Sequence, residues 1–158
     1  MTEEPSPCIL NLRKGVFNMI VIEKLMLEEI PSILELYHDF LPFETSLDKS
    51  LEFYKEMVSN ENYYLAVAKE DGKVLGSALG ICCLSLAVSF LVIEDVIVKE
   101  GLRGKGIGRK LMEALDEFAQ SHDCAYAILV SSGHRKDAHQ FYKHVGYTEH
   151  VEGFRKMY

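Results

Sequence analysis

Val96-Ile-Val-Lys-Glu-Gly-Leu-Arg103-Gly104-Lys105-Gly106-Ile107-Gly108-Arg109-Lys110 is the stretch that decides the fold. A β-branched run passes through a loop of small residues and directly into a segment with helical periodicity. There Ile107, Leu111, Met112, Leu115, Phe118 and Ala119 share one face. Glycines let a backbone approach a ligand closely, and the first N–H groups of a helix have no intrahelical partner and favour an anion. Arg103, Lys105, Arg109 and Lys110 crowd this helix start, where each cation opposes the macrodipole by roughly 0.3–1 kcal/mol. A helix selected for stability alone would carry acids there. The charges therefore point to a bound phosphate group.

Upstream of this turn, Phe90 to Lys99 reads as a strand. Before it, Tyr63 to Lys69 and Lys73 to Leu84 are strands joined by the hairpin turn Asp71-Gly72. Met19 to Lys24 is a further strand-like run. Leu27 to Phe40 carries apolar residues at helical spacing through Leu41, with Pro31 tolerable in the first turn. Ser46 is placed as a helix N-cap, followed by Leu47, Leu51, Tyr54, Met57 and Val58 on one face. Downstream, Ala125 to Val130 reads as a buried strand, and Ala138, Phe141, Tyr142 and Val145 mark a helix. The tail from Tyr147 to Tyr158 reads as one or two closing strands around Gly153. The order βααβββαβαβ predicts an α/β (mixed α+β) fold, with a mixed central sheet and helices on both faces. Residues 1–18, with Pro5, Pro7 and Gly15 and no periodicity, read as a poorly ordered lead-in to a single domain over 19–158.

Composition narrows the function classes. A chain of 158 residues with 48% hydrophobic content is the size of one domain with a substantial core. The longest apolar region, Val74 to Ile93, is broken by Gly76, Gly80 and serines, so no membrane span or membrane partner is expected. Glu3 and Glu4 near the start do not suit a secretory leader, and a cytoplasmic location is expected. The four cysteines lack CxxC spacing and the six histidines lack an HExxH pattern, so no metal site is expected. A net charge of -7 weighs against nucleic acid and suits a cationic small molecule.

Among phosphate binders, a P-loop needs GxxxxGK followed by Ser or Thr, and Lys110 is followed by Leu111. A dinucleotide fingerprint needs a third glycine where Leu111 stands. Arg103-Gly-Lys-Gly106-Ile-Gly108 after a hydrophobic strand instead resembles the acetyl-CoA signature R/Q-x-x-G-x-G/A of the GNAT superfamily of N-acetyltransferases. The resemblance extends from Met19 to Tyr158 and implies the acyl-CoA N-acyltransferase fold, with acetyl-CoA as co-substrate. It implies that Arg103, Gly104, Lys105, Gly106, Ile107 and Gly108, with Arg109, hold the CoA pyrophosphate. It also implies that Val96, Ile97 and Val98 pair with the pantetheine arm and polarise the thioester carbonyl.

Ala138-His-Gln-Phe-Tyr142-Lys-His-Val-Gly146-Tyr147 resembles the second motif of that family, A-x-x-x-Y with a following G-F/Y. The match implies that Tyr142 is the general acid facing the CoA sulfur. By spacing alone Tyr142 belongs to a helical stripe that is more often core. Many family members carry Asn where Arg135 stands here, so that contact departs from the pattern, although Arg135 can reach phosphate. Glu94 and Asp95 interrupt an apolar strand, and acids there need a reason. Successive strand residues face opposite sides, so only one can point at a given cleft. Resemblance to small-amine acetyltransferases favours Glu94 as base or as the group that orders a water. His134, at a strand-to-helix junction, is the alternative base. The run from Ser131 to Tyr142 resembles the branch containing aminoalkylphosphonate and aminoglycoside acetyltransferases. The expected acceptor is a primary amine of a small molecule, with a peptide amine or a non-catalytic acyl-CoA sensor as alternatives. Family precedent implies a homodimer.

Overall fold

Turn chemistry builds the first part of the sheet. Asp71 and Gly72 both adopt positive φ, 49° and 74°, as a two-residue hairpin with the strand twist demands. They join β2 (Tyr63–Glu70) to β3 (Lys73–Leu84). The chain then turns at Ser85, whose Oγ accepts from the Ala87 and Val88 N–H groups, and returns as β4 (Ser89–Val98). The computed structural model describes residues 19–38 and 46–158. The lead-in over 1–18, with Cys8, and the predicted helix end at Phe40 and Leu41 lie outside the described residues.

A short β1 (Val21–Lys24) pairs antiparallel with β2, and β5 (Cys124–Leu129) lies parallel to β4. The sheet is therefore mixed, in the order β1-β2-β3-β4-β5. Its parallel step is made by the crossover helix α3 (Ile107–Ser121). Helices cover both faces, as the element order predicts. On one face, Ile107, Leu111, Met112 and Leu115 of α3 are buried against Leu91 and Ile93. Each such side chain contributes about 1.5–3 kcal/mol of transfer free energy. Ala138 and Phe141 of α4 (Lys136–His144) pack on the edge of that core.

On the other face, α1 (Ile30–His38) and α2 (Leu47–Val58) close over Leu25 and Val67. The cap on α2 forms as predicted, with the Lys49 N–H donating to Ser46 Oγ at 3.3 Å. Beside this core the buried Lys69 ammonium pairs with Glu23 of β1 and with Glu29 of the 3-10 turn Leu27–Glu29. Cys82 is buried with its sulfur 3.6 Å from that of Cys124, the small-hydrophobe use expected of cysteines here. No group of potential metal ligands forms among the described residues.

The tail departs from expectation. No strand forms between Tyr147 and Tyr158. A strand needs a neighbouring ladder, and the tail makes no ladder with β5. Gly146 turns the chain with φ 103°, and Gly153 passes the Val130 side chain beyond the end of β5. Val151, Phe154, Met157 and Tyr158 are left exposed, so apolar residues in the tail alone did not create a partner.

Candidate active site

The site begins where two parallel strands part. β4 and β5 pair from Ser89 and Cys124 only as far as Ile93 and Leu129, while β4 continues to Val98. Just past the last pair, Glu94 lies opposite Leu79 and Ile97 opposite Ser77. Three steps along β4 thus match two along β3, which is a β-bulge. Asp95 takes the extra place with φ 52°, the left-handed conformation such bulges and functional sites tolerate in a non-glycine residue. Past the bulge β4 runs on without a β5 partner, and a cleft opens beside it.

That cleft has a volume of about 410 Å³. Val96, Ile97 and Val98 form one wall, unpaired with β5 and so with backbone groups available to a ligand. The start of α3 forms its floor through Gly106, Ile107, Gly108 and Arg109, with Arg103 and Gly104 of the preceding loop. Gly104 and Gly106 adopt φ near 80°, and a methyl group at either would meet nothing within 4 Å. They let the loop bend so that unpartnered amides face open space. Gly108 has a different reason, since a Cβ there would lie 3.0 Å from Cζ of Phe141. Its absence lets α3 and α4 close on each other beneath the cleft.

The third side comes from α4 and its cap, with Arg135, Ala138, Phe141 and Tyr142. Arg103, Arg109 and Arg135 therefore converge on one cavity, so the three guanidiniums concentrate positive potential there. The other predicted cations do not join them. Lys110 turns away and donates to the Ile20 carbonyl at 3.1 Å, while Lys105 is exposed and outside the lining. His134 is exposed in the turn before α4 and also lies outside it. Leu102, Asp137 and Phe141 line the cleft without having been singled out as contacts by sequence.

Tyr142 belongs to both the core and the cleft. It is buried in the α3 core, edge-on to Tyr147 at 6.3 Å, and it also lines the cleft. Burial raises its hydroxyl above the ordinary tyrosine pKa; Arg135 works against this and Glu94 adds to it. Glu94 is itself raised, first by desolvation and then by the neighbouring Asp95 charge, with Arg155 opposing. Glu94 is not part of the lining of this cleft, whereas Asp95 lines a second cavity of about 520 Å³ beneath α1 and α2. Strand alternation held out one acid for one cleft. The bulge breaks that alternation, which no sequence signal announced.

Similarity to known proteins fits this geometry. The model of the acetyltransferase (GNAT) family matches residues 30–147. Aminoalkylphosphonate N-acetyltransferase of Salmonella typhimurium is 22% identical over 156 residues, covering 94% of this chain and 97% of that protein. N-alpha-acetyltransferase 80 of Mus musculus is 42% identical over 65 residues, which are 40% of this chain and 19% of the mouse protein's length. A putative acetyltransferase from Agrobacterium tumefaciens superposes with a TM-score of 0.80 at 25% identity, over 88% of this chain and 100% of that structure. With its parted strands, glycine-bound helix start and α4 tyrosine, the chain belongs to the acetyltransferase (GNAT) family, whose members are acetyl-CoA-dependent N-acetyltransferases.

Proposed function

We propose that the protein transfers the acetyl group of acetyl-CoA to a primary amine of a small molecule by direct attack in a ternary complex. The observation that carries this reading is the cleft itself, where an unpaired strand edge, a helix N-terminus with three arginines and the Tyr142 hydroxyl converge. Its residues fit the co-substrate. The α3 amides with Arg103, Arg109 and Arg135 suit a pyrophosphate, and Val96 to Val98 suit an amide-bearing arm. Bound there, acetyl-CoA supplies an activated thioester.

The chain's own residues then have three tasks. An alkylamine has a pKa near ~10.4 and must lose a proton before it attacks. Glu94, with its affinity for protons raised by desolvation, accepts that proton directly or through a water. The Val96–Val98 backbone orients and polarises the carbonyl. As the N–C bond forms and the C–S bond breaks, Tyr142 donates its proton to the leaving thiolate, and the phenolate is restored by the second proton shed from the now cationic nitrogen; burial favours the protonated hydroxyl.

The test is thiol release from acetyl-CoA across alkylamines, aminoalkylphosphonates, aminoglycosides and peptides, with product masses measured. Amine-dependent release with a 42 Da gain on a small amine supports the reading. Acetyl-CoA binding without release on any amine removes it, and acetylation of peptides alone moves the acceptor to protein.

A further inference from the structure

Resting on that reading, we infer that the acceptor is a primary amine with an apolar body, an alkyl- or arylalkylamine, seated in the cavity beneath α1 and α2 with its ammonium against Asp95. The cavity lies on the opposite side of β4 from the α3 core. Its walls are mostly aliphatic and aromatic, including Leu34, Phe53, Tyr54, Met57 and Leu79, with Ser50 and Asn60 as the neutral polar residues. At about 520 Å³ it falls within the range that holds small organic ligands.

Charge selects the amine. Among the described residues lining this cavity there is no Lys, Arg or His, while Asp95 and the exposed Glu56 are acids. Asp95 sits in the sheet with no ion pair to a described residue. Desolvation alone raises its pKa, so its carboxylate lacks the compensating charge that a buried acid normally has. The negative charge of Asp95 also reaches the buried Tyr37 hydroxyl, which burial first and Asp95 second push up. A ligand ammonium is the complement this cavity needs.

The same walls disfavour the acceptors of similar enzymes. A phosphonate would enter a cavity whose described lining offers acids and no cation. An aminoglycoside would bring many hydroxyls to apolar walls, each hydroxyl costing about 1–3 kcal/mol if left unpaired. Position also agrees, because Asp95 is bonded to Val96 and Val96 lines the acetyl-CoA cleft. An ammonium at Asp95 lies next to the strand that orients the thioester.

Calorimetric titration of the full chain with phenethylamine, phenethyl alcohol and aminoethylphosphonate tests this without requiring turnover. Phenethylamine is expected to bind about tenfold or more tightly than either, the factor a charge-assisted contact gives. Asp95→Asn is expected to abolish the preference for amine over alcohol while leaving alcohol binding within about twofold. Aminoethylphosphonate binding as tightly as phenethylamine overturns the proposal, as does an amine preference that survives Asp95→Asn. Should Asp95→Asn fail to fold, the amine–alcohol comparison in the unaltered protein decides alone. Thiol release separates the two readings. Turnover of the phosphonate with apolar amines inert overturns this acceptor class and leaves the transferase intact. Tight apolar-amine binding with no release in acetyl-CoA removes the transferase and leaves the cavity assignment standing.

Discussion

Asp95 and Val96 are joined by one peptide bond yet line different cavities, Asp95 the one beneath α1 and α2 and Val96 the cleft beside α4. A regular strand also points successive side chains to opposite faces. Here the bulge adds the divergence of β4 from β5, so one face carries a cleft deep enough for a co-substrate. The two cavities are thus lined by residues one peptide bond apart, the closeness that the proposed encounter of amine and thioester requires.

Glu94→Gln should remove the acid limb of the pH–rate profile. A base works only when deprotonated, so activity falls as pH drops through its pKa, and Glu94 is raised above the ordinary glutamate value. The acid limb of kcat/KM should therefore lie above the ordinary glutamate range. In Glu94→Gln the rate should drop roughly 10²-fold and the limb should flatten. An unchanged limb would assign the proton to another group.

Tyr142→Phe keeps the ring in the α3 core and removes only the hydroxyl. Turnover should fall about 10²-fold, the lower end for a lost general acid, with acetyl-CoA affinity changed less than about twofold. Single-turnover kinetics at saturating amine with an equilibrium titration checks both. Unchanged turnover would reduce Tyr142 to a core residue.

The extent to which this site was legible follows from what each signal depends on. The cleft floor was readable because Gly104, Gly106 and the cations act through local backbone and charge. Ser46 and Asp71-Gly72 likewise carry local chemistry that tertiary packing did not override. The bulge at Asp95 was not readable, because it depends on register with β3, between residues far apart in sequence. The departure of Lys110 toward Ile20 is also a long-range contact. The tail misled for the same reason, since a closing strand forms only where an edge is there to pair with.

Arg109→Ala should weaken acetyl-CoA binding about tenfold, the contribution of one charge-assisted contact, with kcat at saturation changed less than about twofold. Arg109 is exposed and lies at the α3 start facing the cleft. Its contribution should shrink as salt rises from low to physiological strength. Titration of the variant and the parent at two salt concentrations checks this, and a salt-independent loss would point to misfolding of the loop instead.

Gly108→Ala sets two effects against each other. Alanine favours the helix by up to about 1 kcal/mol over glycine. Its Cβ, however, would stand 3.0 Å from Phe141 Cζ, so the ring must yield by a few tenths of an ångström. Phe141 packs at 5.3 Å on Tyr142, so the displacement reaches the acid. Melting temperature should change by less than about 4 °C, since the two terms oppose. Turnover should fall roughly three- to tenfold, because misplacing a reacting group by a fraction of an ångström is costly. A gain in stability with unchanged turnover would show that Phe141 moves without taking Tyr142 along.

Lys69→Met tests what fastens β1 and the turn before α1 to the sheet. Burial lowers the Lys69 ammonium, but its bonds and charge interactions with Glu29 and Glu23 outweigh that and leave its pKa raised. Removing it leaves the Glu29 carboxylate, whose side chain is 14% exposed, with the Met26 N–H but no cation, while Glu23 at 56% can return to water. The loss should be roughly 2–3 kcal/mol, below the range for a pair buried on both sides, or about 5–10 °C in melting temperature. The sign of the pH dependence follows from the raised pKa. The stabilisation is complete below the unfolded lysine value of about 10.4 and fades as pH climbs through the higher folded value. Denaturant titrations of both proteins at pH 7 and pH 11 should therefore give a gap at pH 7 that narrows at pH 11. A gap that stayed constant would mean the methionine substitution destabilises by packing and not by charge.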